Sequence, residues 1–359
     1  MSEILFEALP PADLTVFARQ LAAREVDPLV QVIPNRVIRG RRSRVTRVSR
    51  TTTAAKFRSF DAETPIGRRP VAATVESVEL APLGQKLPLR ELEILDRYLA
   101  DNSDLKDVIA ALYDDTENNV ASILNRALQL RGQFLFTGGV QIEENGFIQE
   151  ADFGLPADHN LDLADVGDAW SDPDAPIIDL ELAWVEQVQD ETQETVVRAV
   201  VSSRIARAML TNRQYVAAAN VTTGRVTPAV RDAVRAEYGL PPLLVVDAKV
   251  GGARVTPDNK IALVTSTVAE FQWGDTAEGL TLLGSNAVDQ VSTVAPKITA
   301  SAWKTTDPVN LWSKANATGL VVAGDINGLF VAEVLEPATT PEGRIAIDVE
   351  PDEDDDAGL

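Results

Sequence analysis

The chain has 359 residues, of which 45% are apolar and 24% charged, values typical of a folded globular protein rather than a disordered or membrane-spanning one. It contains no cysteine and a single histidine, His159, which excludes disulfides, thiolate nucleophiles and zinc sites built on sulfur. Its formal net charge of -21 disfavours indiscriminate binding to the phosphate backbone of nucleic acids.

Residues 1–31 are expected to form an N-terminal arm. Apolar residues recur at helical spacing within 12–24, which predicts a short amphipathic helix there. The opening residues lack the basic region and long apolar stretch of a signal peptide, and the longest apolar runs, such as 240–246, are too short to cross a bilayer. We therefore expect a cytoplasmic product without membrane contact.

Residues 32–86 are predicted to form an extended two-stranded arm, because Val, Thr, Ser and Arg partly alternate and the apolar content is too low for a core. Residues 31–70 contain eleven Lys and Arg and two acids, so this segment carries +9 and the rest of the chain carries -30. Such opposite charges favour head-to-tail contacts between copies. The basic residues expected to contact another subunit are Arg36, Arg39, Arg41, Arg42, Arg44, Arg47, Arg50, Lys56 and Arg58.

Helical spacing then predicts a long helix, which over 104–131 would span about 42 Å at the rise of an α-helix. Gly132 is expected to end this helix. The near-alternating residues Phe134, Phe136, Val140 and Ile142 predict a following strand or hairpin.

Residues 156–290 are interpreted as an α+β unit, which would be a second domain inserted into the first domain of the chain. Residues 172–176 are expected to cap a helix, Thr227 and Pro228 to open another that ends at Gly239, and 204–210 to be helical. Strands are expected at 243–250 and 261–265.

The last part of the chain is predicted to contain four short strands separated by polar turns, at 300–304, 310–313, 320–323 and 329–334. These strands could pair beside the expected Phe134 strand. The five tryptophans are expected to fill cores, and 341–359 to be a solvated acidic tail.

Motifs for catalysis are absent from the sequence: it has no phosphate loop, dinucleotide fingerprint, nucleophile elbow or paired-histidine zinc motif. We expect no catalytic, cofactor-binding or metal site, and interpret His159 as a loop histidine without a role. A calcium loop starting at Asp158 fails, because Leu163 replaces the required glycine and Ala169 the bidentate glutamate. Two alternatives stay open: an enzyme with an acidic site at Asp162, Asp165 and Asp168, and a nucleic-acid-binding protein that uses the basic arm at 36–58.

The stretch Arg131-Gly132-Gln133-Phe134-Leu135-Phe136-Thr137-Gly138 resembles the capsid E family of lambda-like major capsid proteins of tailed phages. Trp170-Ser171 and the residues that follow resemble that family's approach to its axial domain. Similar motifs in the same order are spread over most of residues 90–335. The residues that carry the structural motif are Gly132, Phe134, Thr137, Gly138 and Trp170.

The resemblance implies the α+β fold of tailed-phage major capsid proteins. Its parts would be an N-terminal arm at 1–31, an extended β-hairpin loop at 32–86, a peripheral domain with a long spine helix at 87–155 and 291–340, an axial domain at 156–290, and the tail at 341–359.

The resemblance also implies a structural role: self-assembly into hexamers and pentamers that form the icosahedral head shell around phage double-stranded DNA. No cofactor is expected, and the DNA would be enclosed without sequence-specific binding. No long charged helix precedes residue 30, so we expect no internal scaffolding domain and a separate scaffolding protein. A portal and a decoration protein are the other expected partners, and assembly is expected in the host cytoplasm.

Overall fold

The computed structural model describes residues 10–24, 27–48, 73–99, 105–163, 169–282 and 295–336. The predictions for Arg50, Lys56, Arg58, Asp165, Asp168 and the tail 341–359 lie outside these residues. For Arg44 and Arg47 the backbone is described and the side chains are not.

Helices and strands both occur throughout the described residues. The α-helices are α1 (Pro11–Arg24), α2 (Glu91–Leu99), α3 (Leu105–Thr137), α4 (Ile177–Thr192), α5 (Ser203–Ala208), α6 (Arg213–Ala218), α7 (Pro228–Glu237) and α8 (Ala277–Thr281). Short 3-10 helices lie at Pro28–Gln31, Ala157–His159, Met209–Thr211 and Ile326–Gly328. No described helix is both long and apolar enough to reach across a lipid bilayer.

The described strands form two five-stranded sheets and three two-stranded ones. In chain order they are β1 (Asn35–Val37), β2 (Arg42–Val48), β3 (Ala73–Glu79), β4 (Ala81–Leu89), β5 (Gly139–Glu144), β6 (Phe147–Asp152), β7 (Asn160–Asp162), β8 (Val196–Val201), β9 (Leu243–Val245), β10 (Lys249–Val250), β11 (Ala253–Arg254), β12 (Lys260–Thr265), β13 (Ala269–Trp273), β14 (Thr299–Thr306), β15 (Val309–Ala323) and β16 (Leu329–Glu333).

The first sheet has the order β1-β13-β15-β14, with β4 also paired to β15. The prediction of separate strands at 310–313 and 320–323 is wrong, because β15 runs unbroken through both. Its polar residues Lys314 and Asn316 suggest a turn in the sequence. Their side chains instead bind Glu278, at 2.9 and 2.7 Å from its Oε1.

The spine helix α3 packs on this sheet and continues beyond the predicted end at Gly132. That prediction and the strand predicted at Phe134 and Phe136 are wrong, since both aromatic residues are helical. A Cβ atom on Gly132 would lie 2.4 Å from Val255 Cγ1 and 2.5 Å from Val255 O. The glycine therefore allows close packing in mid-helix, and the helix ends where Gly138 adopts a φ of +71°.

The N-terminal helix α1, present where the sequence predicts it, belongs to the same core. Leu14 and Ala18 are fully buried. The hydroxyl of Thr15 donates to Ala300 O at 3.0 Å, and Nε of Arg19 donates to Ile298 O at the same distance. These bonds attach the helix to the segment that leads into and begins β14.

The second sheet has the order β7-β16-β12-β8-β9 and packs against the helices between residues 177 and 237. Trp184 stacks between Trp170 and Phe330, with ring centroids 6.1 and 5.3 Å away. The helix predicted to start after 172–176 is present as α4, but no side chain of that stretch caps it; instead Ile178 N donates to Gln214 Oε1 at 2.7 Å.

The helix predicted from Thr227 to Gly239 is confirmed as α7. The Thr227 hydroxyl accepts from Val230 N, and Gly239 has a φ of +72°. The helix predicted at 204–210 is also present, as α5 and the 3-10 turn after it.

The two sheets are joined by two connecting segments that lie side by side. β13 and β15 are antiparallel neighbours in the first sheet, and β12 and β16 are antiparallel neighbours in the second. Between them, Gly324 N donates to Val268 O at 2.9 Å and Asp325 N donates to Thr267 O at 3.0 Å. The chain thus crosses from one sheet to the other twice, side by side.

Candidate assembly surface

The basic hairpin is formed by β2 and β3, which within the described residues are hydrogen-bonded in a sheet only to each other. Their register places Arg42 opposite Glu79 and Arg44 opposite Ser77. An isolated two-stranded ribbon is marginally stable in water, because it has little apolar surface to bury. We therefore expect the hairpin to pack against a further protein surface.

The side chains at the start of the hairpin are paired within the chain. Arg42 Nε donates to Glu79 Oε1 at 2.7 Å, and Arg41 Nη2 lies 3.8 Å from the same oxygen. The hydrogen bond from Arg42, with the charges of both arginines, lowers the pKa of Glu79. Arg36 Nη1 lies 2.9 Å from Glu270 Oε2. These pairs are exposed, so each contributes little to stability.

Such pairs were not predicted from the sequence, which indicated contacts with a second subunit for Arg36, Arg41 and Arg42. Arg42 and Glu79 face each other because of the strand register, which the sequence pattern did not predict. Whether the basic side chains also contact a neighbour stays a prediction.

The base of the hairpin is held by Asp275. Its Oδ2 accepts from Gly40 N at 2.7 Å, and its Oδ1 pairs with Lys297 Nζ. Partial burial alone would raise the pKa of Asp275, but the Gly40 N–H, Lys297 and the charge of Arg39 together lower it. Gly40 has a φ of +80°, so the turn that starts the hairpin favours glycine.

A second support comes from Arg131 on the spine helix, which is only 2% exposed. Its Nε donates to Ile33 O at 3.1 Å, Nη1 pairs with Asp27, and Nη2 donates to Asn35 Oδ1. Asn35 Oδ1 also accepts from Trp273 Nε1 at 2.8 Å. One buried guanidinium thus fixes the segment that leads into the hairpin.

The residues of the sequence motif fall into two places. Phe134 is buried and contacts Phe153 edge-on, with centroids 5.7 Å apart. Thr137 Oγ1 donates to Gln133 O at 2.7 Å, and Gly138 N donates to Phe134 O at 2.8 Å. Together with Gly132 these residues shape the end of the spine helix. Trp170 lies apart from them, in the core beside the second sheet.

Exposed apolar side chains lie in two places, on α2 and on the β5–β6 hairpin. Leu92 and Leu95 on α2 are 69% and 47% exposed, and the β5–β6 hairpin presents Ile148 at 74% exposure. Apolar side chains clustered at a surface mark contact sites with other proteins more often than single ones do. Neither patch was predicted from the sequence.

His159 and Asp162, two of the residues considered for catalysis or metal binding, lie at the edge of the second sheet. His159, interpreted as a loop histidine, is instead fully buried in a 3-10 turn. Asp162 lies in β7, and its two proposed companions are outside the described residues.

Residues 38–334 match the family described as phage major capsid protein E. Among curated proteins, no match was found. A phage-related protein from Bordetella bronchiseptica RB50 has a similar fold, with a TM-score of 0.57 and 11% identity over 91% of this chain and 97% of that one. A putative prophage capsid protein from E. coli CFT073 has a TM-score of 0.53 and 13% identity, over 88% of this chain and 96% of that one.

The fold expected from the resemblance is therefore confirmed, because the mixed helix and sheet fold of this chain matches those of the two solved structures over most of its length. The family match covers more than half of the chain. The chain belongs to the phage major capsid protein E family and is a structural protein that forms capsid shells.

Proposed function

We propose that this protein assembles into hexamers and pentamers that close into an icosahedral head shell around phage double-stranded DNA. It acts as a building block and not as an enzyme, and assembly takes place in the host cytoplasm. The observation that carries the proposal is the β2–β3 hairpin, which has no further sheet partner among the described residues and whose strand β2 belongs to the segment 31–70, of charge opposite to the rest of the chain.

In this proposal, 32–86 is the extended loop and lies over an adjacent copy. The regions 87–155 and 291–340 form the peripheral domain, and 156–290 is the axial domain that meets its copies around the capsomer centre. Strand pairing at both ends of the loop supports it, because β1 and β4 join the first sheet and give the hairpin a fixed base.

The charge of the loop provides the contact with the neighbour. Arg36, Arg41 and Arg42 already face carboxylates of their own chain, which favours a hairpin that meets protein acids over one that meets phosphates. The proposed contact residues are therefore those that follow in the sequence: Arg44, Arg47, Arg50, Lys56 and Arg58. A repeated network of such pairs can fix the register between copies even though each exposed pair is worth about 0–1 kcal/mol.

The other partners follow from the shell. We propose a separate scaffolding protein, a portal and a decoration protein, with packaged DNA held without sequence-specific contacts. The net charge of -21 disfavours electrostatic attraction to the DNA backbone, and this supports the absence of tight binding.

The test is assembly of the full chain, with its phage's scaffolding protein, followed by size-exclusion chromatography and negative-stain electron microscopy. Wild type should give uniform shells or capsomer rings. The double variant Arg44→Glu and Arg47→Glu should give folded chains that do not assemble. A matched control, Arg24→Glu with Lys304→Glu, makes the same charge change at exposed sites outside both the hairpin and the proposed axial domain and should assemble normally.

A wild-type chain that stays monomeric with scaffold present would contradict the proposal. So would a hairpin variant that assembles as well as the control. Binding of wild type to DNA that weakens steeply with salt, without shells, would favour the nucleic-acid-binding alternative instead.

A further inference from the structure

A cluster of three potential metal ligands lies where the 3-10 turn Ala157–His159 meets the last turn of α4. One ligand atom each from Asp158, His159 and Glu191 can be chosen so that all lie within 4.8 Å of one another. His159 is 0% exposed, whereas both carboxylate residues are exposed. The cluster is thus closed on the protein side and accessible from solvent on the other.

The hydrogen bonding of His159 shows which ring nitrogen faces the cluster. Nδ1 lies 2.9 Å from Leu329 O, and a carbonyl oxygen can only accept, so Nδ1 carries the proton. In the neutral ring, Nε2 then presents a lone pair. Nε2 is buried, lies 3.3 Å from Glu191 Oε2, and makes no hydrogen bond within the part of the chain that is described. A buried acceptor therefore faces a carboxylate, which is unfavourable unless a cation or a proton lies between them.

The surroundings favour a cation at this position. Glu191 is in the last turn of α4, where the helix dipole is negative and where the helix has no basic residue. Gln187, one turn earlier, places Nε2 3.5 Å from Asp158 Oδ2 and so helps to orient that carboxylate toward the helix. An imidazole that donates one N–H to a backbone carbonyl and aims its other nitrogen at carboxylates is the arrangement found around protein-bound metals.

We propose that Asp158, His159 and Glu191 bind one divalent cation of the zinc type, with water in the remaining coordination position. One imidazole and two carboxylates suit Zn²⁺ better than Mg²⁺ or Ca²⁺, for which nitrogen is a poor ligand. The ion fastens the turn before β7 to the end of α4. Because β7 is a three-residue edge strand paired only to β16 in the described sheet, this link stabilises the edge of the second sheet.

The test uses the full chain, stripped with a chelator and then titrated with ZnCl₂ by isothermal calorimetry, with bound metal counted by mass spectrometry. Wild type should bind one Zn²⁺ per chain, and its Tm should rise on addition of zinc. Asp158→Asn and Glu191→Gln should each weaken binding by about tenfold or more. Both residues are exposed, so these variants should fold. Glu186→Gln, the same change at an exposed site of α4 outside the cluster, should bind like wild type.

The proposal is overturned if wild type takes up no zinc, or if Glu191→Gln binds zinc as well as Glu186→Gln does. It is also overturned if Mg²⁺ raises the Tm as much as Zn²⁺ at equal concentration. If a proton rather than a metal fills the gap, the Tm will not respond to zinc. That result equally rejects the metal site.

Discussion

The carboxylate of Glu181 and the guanidinium of Arg235 form an ion pair with almost no access to solvent: Oε2 and Nη1 are 2.7 Å apart, and the side chains are 0% and 1% exposed. Arg235 Nη1 also donates to Tyr215 OH at 2.9 Å, and Nη2 donates to Pro241 O at 2.8 Å. Burial raises the pKa of Glu181, and the adjacent guanidinium opposes that rise. The pair ties α4, α6 and α7 together in the core beside the second sheet.

Glu181→Gln is therefore expected to destabilise the unassembled chain by about 3–5 kcal/mol, because it leaves the charge of Arg235 buried without a counter-ion. Urea unfolding of the purified chain measures the loss. Asp190→Asn, an exposed change on the same helix, should cost less than about 0.5 kcal/mol. Equal effects of the two substitutions would show that the buried pair does not hold these helices.

Arg131→Met is expected to destabilise the chain by about 2–4 kcal/mol, since Asp27 and the Ile33 carbonyl lose their buried donor. The loss should be accompanied by faster amide hydrogen exchange around β1, which that network holds in place. Arg126→Met is the matched control, because Arg126 lies on the same helix and pairs with Glu144 at the surface. If hydrogen exchange near β1 is unchanged in Arg131→Met, Arg131 does not fix the base of the hairpin.

Gly132→Ala should lower stability by about 1–3 kcal/mol, although alanine favours a helix by roughly 1 kcal/mol over glycine. The added methyl group would meet the Val255 backbone oxygen, which cannot move aside as a flexible side chain can. Asn125→Ala, at an exposed position of the same helix, should be neutral or slightly stabilising. Thermal unfolding of the two variants compares them directly, and a stabilised Gly132→Ala would contradict the close approach.

Asp275→Asn should weaken the base of the hairpin in a pH-dependent way. The pKa of Asp275 is lower in the folded chain than its usual value of about 3.9, so its contribution is complete above that value and is lost as the pH falls through the folded pKa. The difference in stability between wild type and variant is expected to be about 1–3 kcal/mol at pH 7 and to shrink below about pH 4.

Urea unfolding across this pH range tests the Asp275 prediction. Asp96→Asn, at an exposed position of α2, serves as the control and should show no such trend. A difference for Asp275→Asn that is constant from pH 7 to pH 3 would argue against an ionised Asp275 at the hairpin base.

Local sequence signals predicted those elements whose boundaries are set locally. Thr227 and Pro228 begin α7 and Gly239 follows its end, because capping and a positive φ depend on the residues themselves. The spine helix was predicted from its helical spacing, although its end was not. The turn Asn145-Gly146 of the β5–β6 hairpin, with both φ angles positive, carries an equally local signal that the prediction did not use.

Features set by distant contacts could not be predicted in this way. Gly132 was expected to end a helix, and only the position of Val255 explains why it lies inside one. Lys314 looks like a turn residue until Glu278 is seen to bind it. His159 was expected in a loop, and its burial depends on β16 and α4, which lie far along the chain. For the assembly surface, the sequence identified the basic hairpin but not its internal ion pairs.

The paired crossing between the two sheets limits how the subunit can deform. The two connecting segments are hydrogen-bonded to each other at Val268 and Gly324, so they resist twisting of one sheet against the other more than a single segment would. A Cβ atom on Gly324 would lie 2.3 Å from Thr267 O, so the two strands are in close contact at the crossing. When a shell of such subunits is strained, we expect load on one sheet to pass to the other through this paired crossing. Large changes in the shape of the subunit are then expected in segments outside the two sheets.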